Sequence, residues 1–150
     1  MNGDLIRTIL SISNSVKREL DSNNKERNLD ISGAQVRCLH VIQRAEEKGE
    51  NINQKELEMI FNIQKSSMSQ LLATMEEKNL IVRVPSLSDS RIKNITLTKK
   101  GKEISLITYN DIANIQAHST KDLSDKDLEI TLNTLAKIRN KIEGGKHEEK

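Results

Sequence analysis

The chain is poor in the residues that interrupt or staple a fold. One proline and six glycines in 150 residues leave few forced breaks, so long helices are predicted. A single cysteine, Cys38, excludes an internal disulfide and suits a reducing cytoplasm, the expected location. Phe61 and Tyr109 are the only aromatic residues apart from histidine, too few to stack successive single-stranded bases. No apolar run approaches the roughly 18 residues of a membrane span, and the start lacks the basic and apolar blocks of a signal peptide. His40, His118 and His147 stand without other ligand types at metal spacing, so no metal or cofactor is expected. There is no glycine-rich phosphate loop and no nucleophile beside a base, so no enzyme is expected.

What remains is charge and helical periodicity. Charged residues make up 31% and hydrophobic residues 35%, and residues 1–150 read as one mainly α domain of about six helices. The net charge is only +2, but it is unevenly spread. Residues 62–102 hold eight basic and three acidic residues; the remainder holds sixteen and nineteen. Positive charge gathered on one segment is the footprint expected of a nucleic-acid surface.

That segment is also the best organised. Asn53 with Glu56 three residues on predicts a capped helix, with Leu57 and Ile60 as its apolar side. After a turn, Met68, Leu71, Leu72 and Met75 fall at i, i+3, i+4 and i+7, the buried stripe of a second helix. Its other face carries Lys65, Ser66, Ser67, Ser69, Gln70 and Thr74. Serines are poor helix formers for a face that only meets water, and they suit a close approach to phosphates or base edges. Asn79 would end the helix in the left-handed region. Leu80, Val82 and Val84, alternating with Ile81 and Arg83, predict a strand ending at Pro85; Ile92 to Thr98 returns antiparallel. A helix-turn-helix followed by a two- to three-stranded antiparallel wing gives an α+β winged helix over residues 31–101.

Asp89-Ser90-Arg91, Leu97-Thr98 and Gly101, in this order after such a helix-turn-helix, resemble the MarR family of bacterial transcription regulators. The resemblance implies a homodimer on double-stranded DNA, with the helix from Lys65 in the major groove and the wing in the minor groove. It assigns DNA contacts to Asn53, Gln54, Gln64, Lys65, Ser66, Ser67, Ser69, Gln70, Thr74, Ser90, Arg91 and Lys93, with Asp89 and Arg91 bracing the wing. It also leaves room for a small-molecule effector. This chain departs from the family where Asp-Arg-Arg is common: with Arg91 paired to Asp89, Ser90 replaces the usual minor-groove arginine. Gln70 stands where arginine is frequent, and Gln64 where a Ser or Thr cap is frequent.

The flanking helices read as dimerisation elements, over residues 1–30 and 102–146. Leu5, Ile9, Ile12, Val16 and Leu20 form one seam; Asp21 to Asp30 reads as a linker or frayed end. Ser32 caps a helix to Glu47 with Val36, Leu39 and Ile42 inside, and Cys38 reads as a small buried residue. Thr98 caps a helix to about His118, with Ile104, Ile107 or Leu106, Ala113 and Ile115 inside. Ser124 and Asp127 start a last helix whose seam is Leu128, Leu132, Leu135, Ile138 and Ile142, and a charged tail from Gly144 reads as disordered. A winged core has too little surface to cover three such helices, so two chains are expected to interlock. A winged helix that binds a partner protein and not DNA stays open as the alternative.

Overall fold

The computed structural model describes residues 4–144, so the charged tail beyond Gly144 lies outside the described residues. Its elements run α1 Asp4–Glu26, α2 Gly33–Glu47, α3 Gln54–Phe61, α4 Lys65–Glu77, β1 Ile81–Pro85, β2 Lys93–Leu97, α5 Lys99–Thr120 and α6 Asp125–Gly144. Two compact units divide the chain, Met1–Ile112 and Ala113–Lys150. Among the described residues no helix is long and apolar enough to cross a membrane.

Helix boundaries in the first unit follow local chemistry. Ser32 with Gln35, and Asn53 with Glu56, form reciprocal capping boxes at the starts of α2 and α3. Helix ends share one device. Asn28, Gly49, Asn62 and Asn79 take positive φ, and the following amide donates back five residues in each case: Leu29 to Asn24, Glu50 to Ala45, Ile63 to Glu58, Leu80 to Met75. This is the left-handed helix stop that asparagine tolerates and glycine favours. It gives Asn28, Asn62 and Asn79 their place at helix ends.

The core gathers Cys38, Leu39 and Ile42 of α2, Leu57 of α3, Met68, Leu72 and Met75 of α4, then Leu80, Ile81 and Ile95, all buried. Each such side chain contributes roughly 1.5–3 kcal/mol on burial. β1 and β2 pair antiparallel, Ile81 opposite Leu97 and Arg83 opposite Ile95. A third short strand is represented by one bridge, Asn53 to Asn94, where the Ile95 amide donates to the Ile52 carbonyl at 2.8 Å.

Several local expectations are corrected. α1 does not stop at Leu20: it runs to Glu26, and Asn24 is buried. The reason is tertiary, because Arg27 just beyond it forms a two-pronged pair with the buried carboxylate of Asp111 on α5. Ile60 is exposed, and α3 is anchored by buried Leu57 with Phe61 packed half-buried against the core. In β1 the protected side carries Ile81 and Arg83, while Val82 and Val84 face out. Within the first unit the buried line of α5 is Gly101, Ile104, Ser105, Thr108 and Asp111, and Leu106 is exposed. Ala113 is exposed too, in the second unit.

Thr108 and Asp111 on that line are partnered, while the buried Ser105 Oγ has no hydrogen-bond partner. Thr108 donates to the Ile104 carbonyl at 2.9 Å, and His40 Nε2 lies 2.9 Å from Thr108 Oγ1 and 3.2 Å from the Ser105 carbonyl. Burial pushes the His40 pKa down, with the Ser105 carbonyl acting the other way. Burial also pushes the Cys38 thiol up to about 12, so at neutral pH it stays a protonated core group.

In the second unit, Ser124 Oγ accepts from the Asp127 amide at 3.2 Å and donates to its carboxylate at 2.6 Å, starting α6. No residue of α6 is buried.

Candidate nucleic-acid interface

α4 inserts one face into the core and turns the other outward. Met68, Leu72 and Met75 are buried; Lys65, Ser66, Ser67 and Gln70 are exposed. At 100° per residue the line farthest from the buried stripe runs through Ser66, Gln70 and Ala73. Ala73 escaped the sequence reading because it is neither polar nor charged. The signal was its spacing, three residues after Gln70 and seven after Ser66.

Two hydroxyls assigned to the outer face are engaged inside the protein. Ser69 Oγ accepts from Gln54 Nε2 at 2.7 Å, tying α4 to α3. Thr74 Oγ1 accepts from Gln35 Nε2 at 3.1 Å and donates to the Leu71 carbonyl at 2.8 Å. Gln35 is buried, and its Oε1 closes the α2 cap and meets Lys78 Nζ at 3.4 Å. These bonds fix the pitch of α4 against its neighbours. Gln64 stands at the start of α4 but makes no side-chain cap, so its amide is left to the exterior.

The wing is braced at its tip. Asp89 Oδ1 accepts from the Arg91 amide at 3.0 Å and from Arg91 Nε at 3.2 Å, and Oδ2 from Nη2 at 3.4 Å. An exposed pair of this kind adds little to global stability, about 0–1 kcal/mol. Its effect is local, folding the loop back so that the Ile92 amide donates to the Asp89 carbonyl and the Ser86 amide to the Ile92 carbonyl. Ser90 is exposed beside it.

Between the start of α3 and the wing lies an open cleft of about 340 Å³, lined by Asn53, Gln54, Lys55, Arg83, Arg91, Ile92, Lys93 and Ile95. It brings together Asn53, Gln54, Arg91 and Lys93 of the expected set and adds Lys55 and Arg83. Arg83 is held by Gln54 Oε1 at 3.4 Å, and its Nε lies 3.1 Å from Glu76 Oε2 without the alignment of a hydrogen bond. Lys55 was legible, since it directly follows the helix start; Arg83 was not, since alternation alone does not say which side of β1 meets the core. Four cations surround this helix N-terminus, Arg83 and Arg91 each also paired with a carboxylate, Glu76 and Asp89. Among the described residues no cluster of side chains fits a metal ion.

A polar-faced second helix, its partner helix and a braced hairpin define a winged helix-turn-helix protein. Residues 29–92 match the model of the MarR family. No curated protein matches. Among solved structures, the transcription regulator MarR of Oenococcus oeni PSU-1 is 28% identical with a TM-score of 0.72, covering 91% of this chain and 99% of that one. MepR of S. aureus in a DNA complex is 21% identical with a TM-score of 0.81, over 92% and 96% of the two chains. FabT of Streptococcus pneumoniae in complex with DNA is 20% identical with a TM-score of 0.83, over 96% and 99%.

Proposed function

We propose that the protein is a double-stranded DNA-binding transcription regulator, a homodimeric and ligand-responsive repressor of a pseudo-palindromic operator. The observation that carries this reading is the outward line Ser66, Gln70 and Ala73 on a helix locked to α2 and α3, beside a cationic cleft at the wing. Short neutral side chains let a helix approach base edges, while Lys55, Arg83, Arg91 and Lys93 neutralise phosphates. The exposed seams of α1 and α6 supply the surfaces for a second copy. A cavity of about 460 Å³ lined by Lys17, Leu20, Asn24, Arg37, His40 and Ile112 is the place for an effector. An effector regulates only by binding one dimer shape better than another.

Titration of the protein onto intergenic duplexes from its own gene neighbourhood, at two salt concentrations and against random duplex, tests the reading. A specific site should bind at least about 10³-fold tighter than random DNA, with affinity falling steeply with salt. Equal and salt-insensitive binding would leave the protein-interaction module in its place.

Two side-chain predictions follow from the same geometry. Gln70 projects from the outermost line of α4 and has the bidentate amide that reads adenine. Gln70→Ala should therefore relax preference at one operator position by about 1–3 kcal/mol without changing thermal stability. Uniform loss across all single-base variants of the site would instead assign Gln70 to the phosphates.

Asp89→Ala removes a negative charge next to DNA, yet it should weaken binding, because the Arg91 side chain and amide lose the carboxylate that holds them. A simple charge count gives the opposite sign. Affinities of both proteins over a salt series decide between the two, and tighter binding by the variant at every salt would end the bracing role.

A further inference from the structure

We propose that Leu87, at the tip of the wing, is a DNA-contacting side chain that enters the minor groove as an apolar wedge against the base steps. The inference rests on the DNA-binding reading above and names a contact residue that neither the sequence motif nor the charge pattern indicates.

Leu87 is wholly exposed, at 108% of its reference area. A lone exposed leucine is ordinary on a protein surface, and its setting is what distinguishes this one. The loop that presents it is closed by hydrogen bonds: Ser86 amide to Ile92 carbonyl at 2.8 Å, Ile92 amide to Asp89 carbonyl at 3.0 Å, and the Ser86 and Ser88 hydroxyls 3.0 Å apart. Leu87 is thus carried on an ordered turn between two small serines. Val84 is exposed on the outward side of the hairpin, and Ile92, also exposed, lines the cleft behind the tip, so both add apolar surface near it. None of these residues is needed for the turn itself, which polar residues make more cheaply.

Arg91 is paired with Asp89 through its Nε and Nη2 while its side chain stays 90% exposed, so the tip presents a braced cation and, at Leu87, a fully exposed apolar group. Behind the tip, the cleft of Lys55, Arg83, Arg91 and Lys93 matches the phosphates that line a groove. An apolar tip on a cationic stem is complementary to a duplex, whose charge sits on the groove walls and whose floor offers sugars and base edges. Apolar side chains used in this way partly unstack a step and favour deformable sequences.

The test uses full-length protein, the intergenic duplex selected by the titration above, and Leu87→Ala and Leu87→Arg variants, with 2-aminopurine scanned through the duplex. Leu87→Ala should melt at the wild-type temperature and bind about tenfold more weakly. The slope of affinity against salt should stay unchanged, since no phosphate contact is lost. Wild-type binding should brighten 2-aminopurine at one or two steps and Leu87→Ala should not. Leu87→Arg should steepen the salt slope. Wild-type affinity and fluorescence in Leu87→Ala, or a changed salt slope in that variant, would overturn the wedge. If the wild type binds no duplex at all, the DNA reading itself fails, which the same titration separates from failure at Leu87 alone.

Discussion

Gly101→Ala is expected to destabilise the protein by about 2–4 kcal/mol and to lower its melting midpoint by about 5–15 °C. A Cβ at this position would stand 2.1 Å from the Leu80 carbonyl oxygen and 3.1 Å from its carbon. The obstacle is backbone, so no rotamer relieves it. Leu80 is itself fixed: its amide ends α4, its carbonyl accepts from the Thr98 amide at 3.1 Å, and its side chain is in the core. Thr98 then donates to the Asn79 carbonyl at 2.7 Å and accepts from the Gly101 amide at 2.9 Å. The first turn of α5 therefore lies directly on the exit of α4. Separating them by the ångström or more that a methyl needs would pull β2 from the core or tilt α4. DNA affinity should fall along with stability. Thermal melts and duplex titration of the variant check both, and an unchanged midpoint would show that the close approach is relaxed in solution.

The second large effect is expected from Leu132→Asp combined with Leu135→Asp. In α6 both side chains are exposed, at 66% and 39%, and Ile130 and Ile142 are exposed as well. In α1, Leu5 and Ile12 are exposed while Ile9 and Val16 are half-buried. Helices with this much uncovered apolar surface are stable when a second copy covers each of them, which is the proposed dimer. Two aspartates in the α6 seam would place carboxylates in that interface without partners, at a cost of several kcal/mol, and should yield monomers or insoluble protein. A monomer carries one recognition helix and one wing, so affinity for a full operator should drop by orders of magnitude toward non-specific binding. Sedimentation of the wild type and the double variant, followed by titration onto full and half sites, measures both steps. A wild type that sediments as a monomer at micromolar concentration and still binds the full site tightly would remove the dimer from the proposal.

How much of this was legible in the sequence depends on the range of the interaction. Ser32 as a cap, Asn53 with Glu56, Ser124 with Asp127 and Asp89 with Arg91 all close within three residues, so residue type and spacing were enough. The stripe of Met68, Leu72 and Met75 was legible for a related reason: one period and one core leave a single side to bury. Asn79 was legible as a helix stop from its type alone, because few residues accept the left-handed conformation.

Contacts between segments distant in the chain were decided by the tertiary structure. α1 extends past Leu20 because Asp111, more than eighty residues away, captures Arg27. Thr108 and Asp111 are buried polar groups of α5 whose partners, His40 and Arg27, come from distant segments. Ser69 and Thr74 carry the same chemistry as Ser66 and Ser67, and only the positions of Gln54 and Gln35 separate those turned to the interior from those left free. Alternation told that β1 has two sides without telling which one meets the core; the pairing of Ile81 with Leu97 and Arg83 with Ile95 decided that. Gly101 belonged to a recognisable motif, but its reason is steric and lies in the carbonyl of Leu80. Local hydrogen bonds and periodicity are properties of a stretch of chain, and these were readable in the sequence. Which polar group finds which distant partner is a property of the packed molecule, and only the fold contains it.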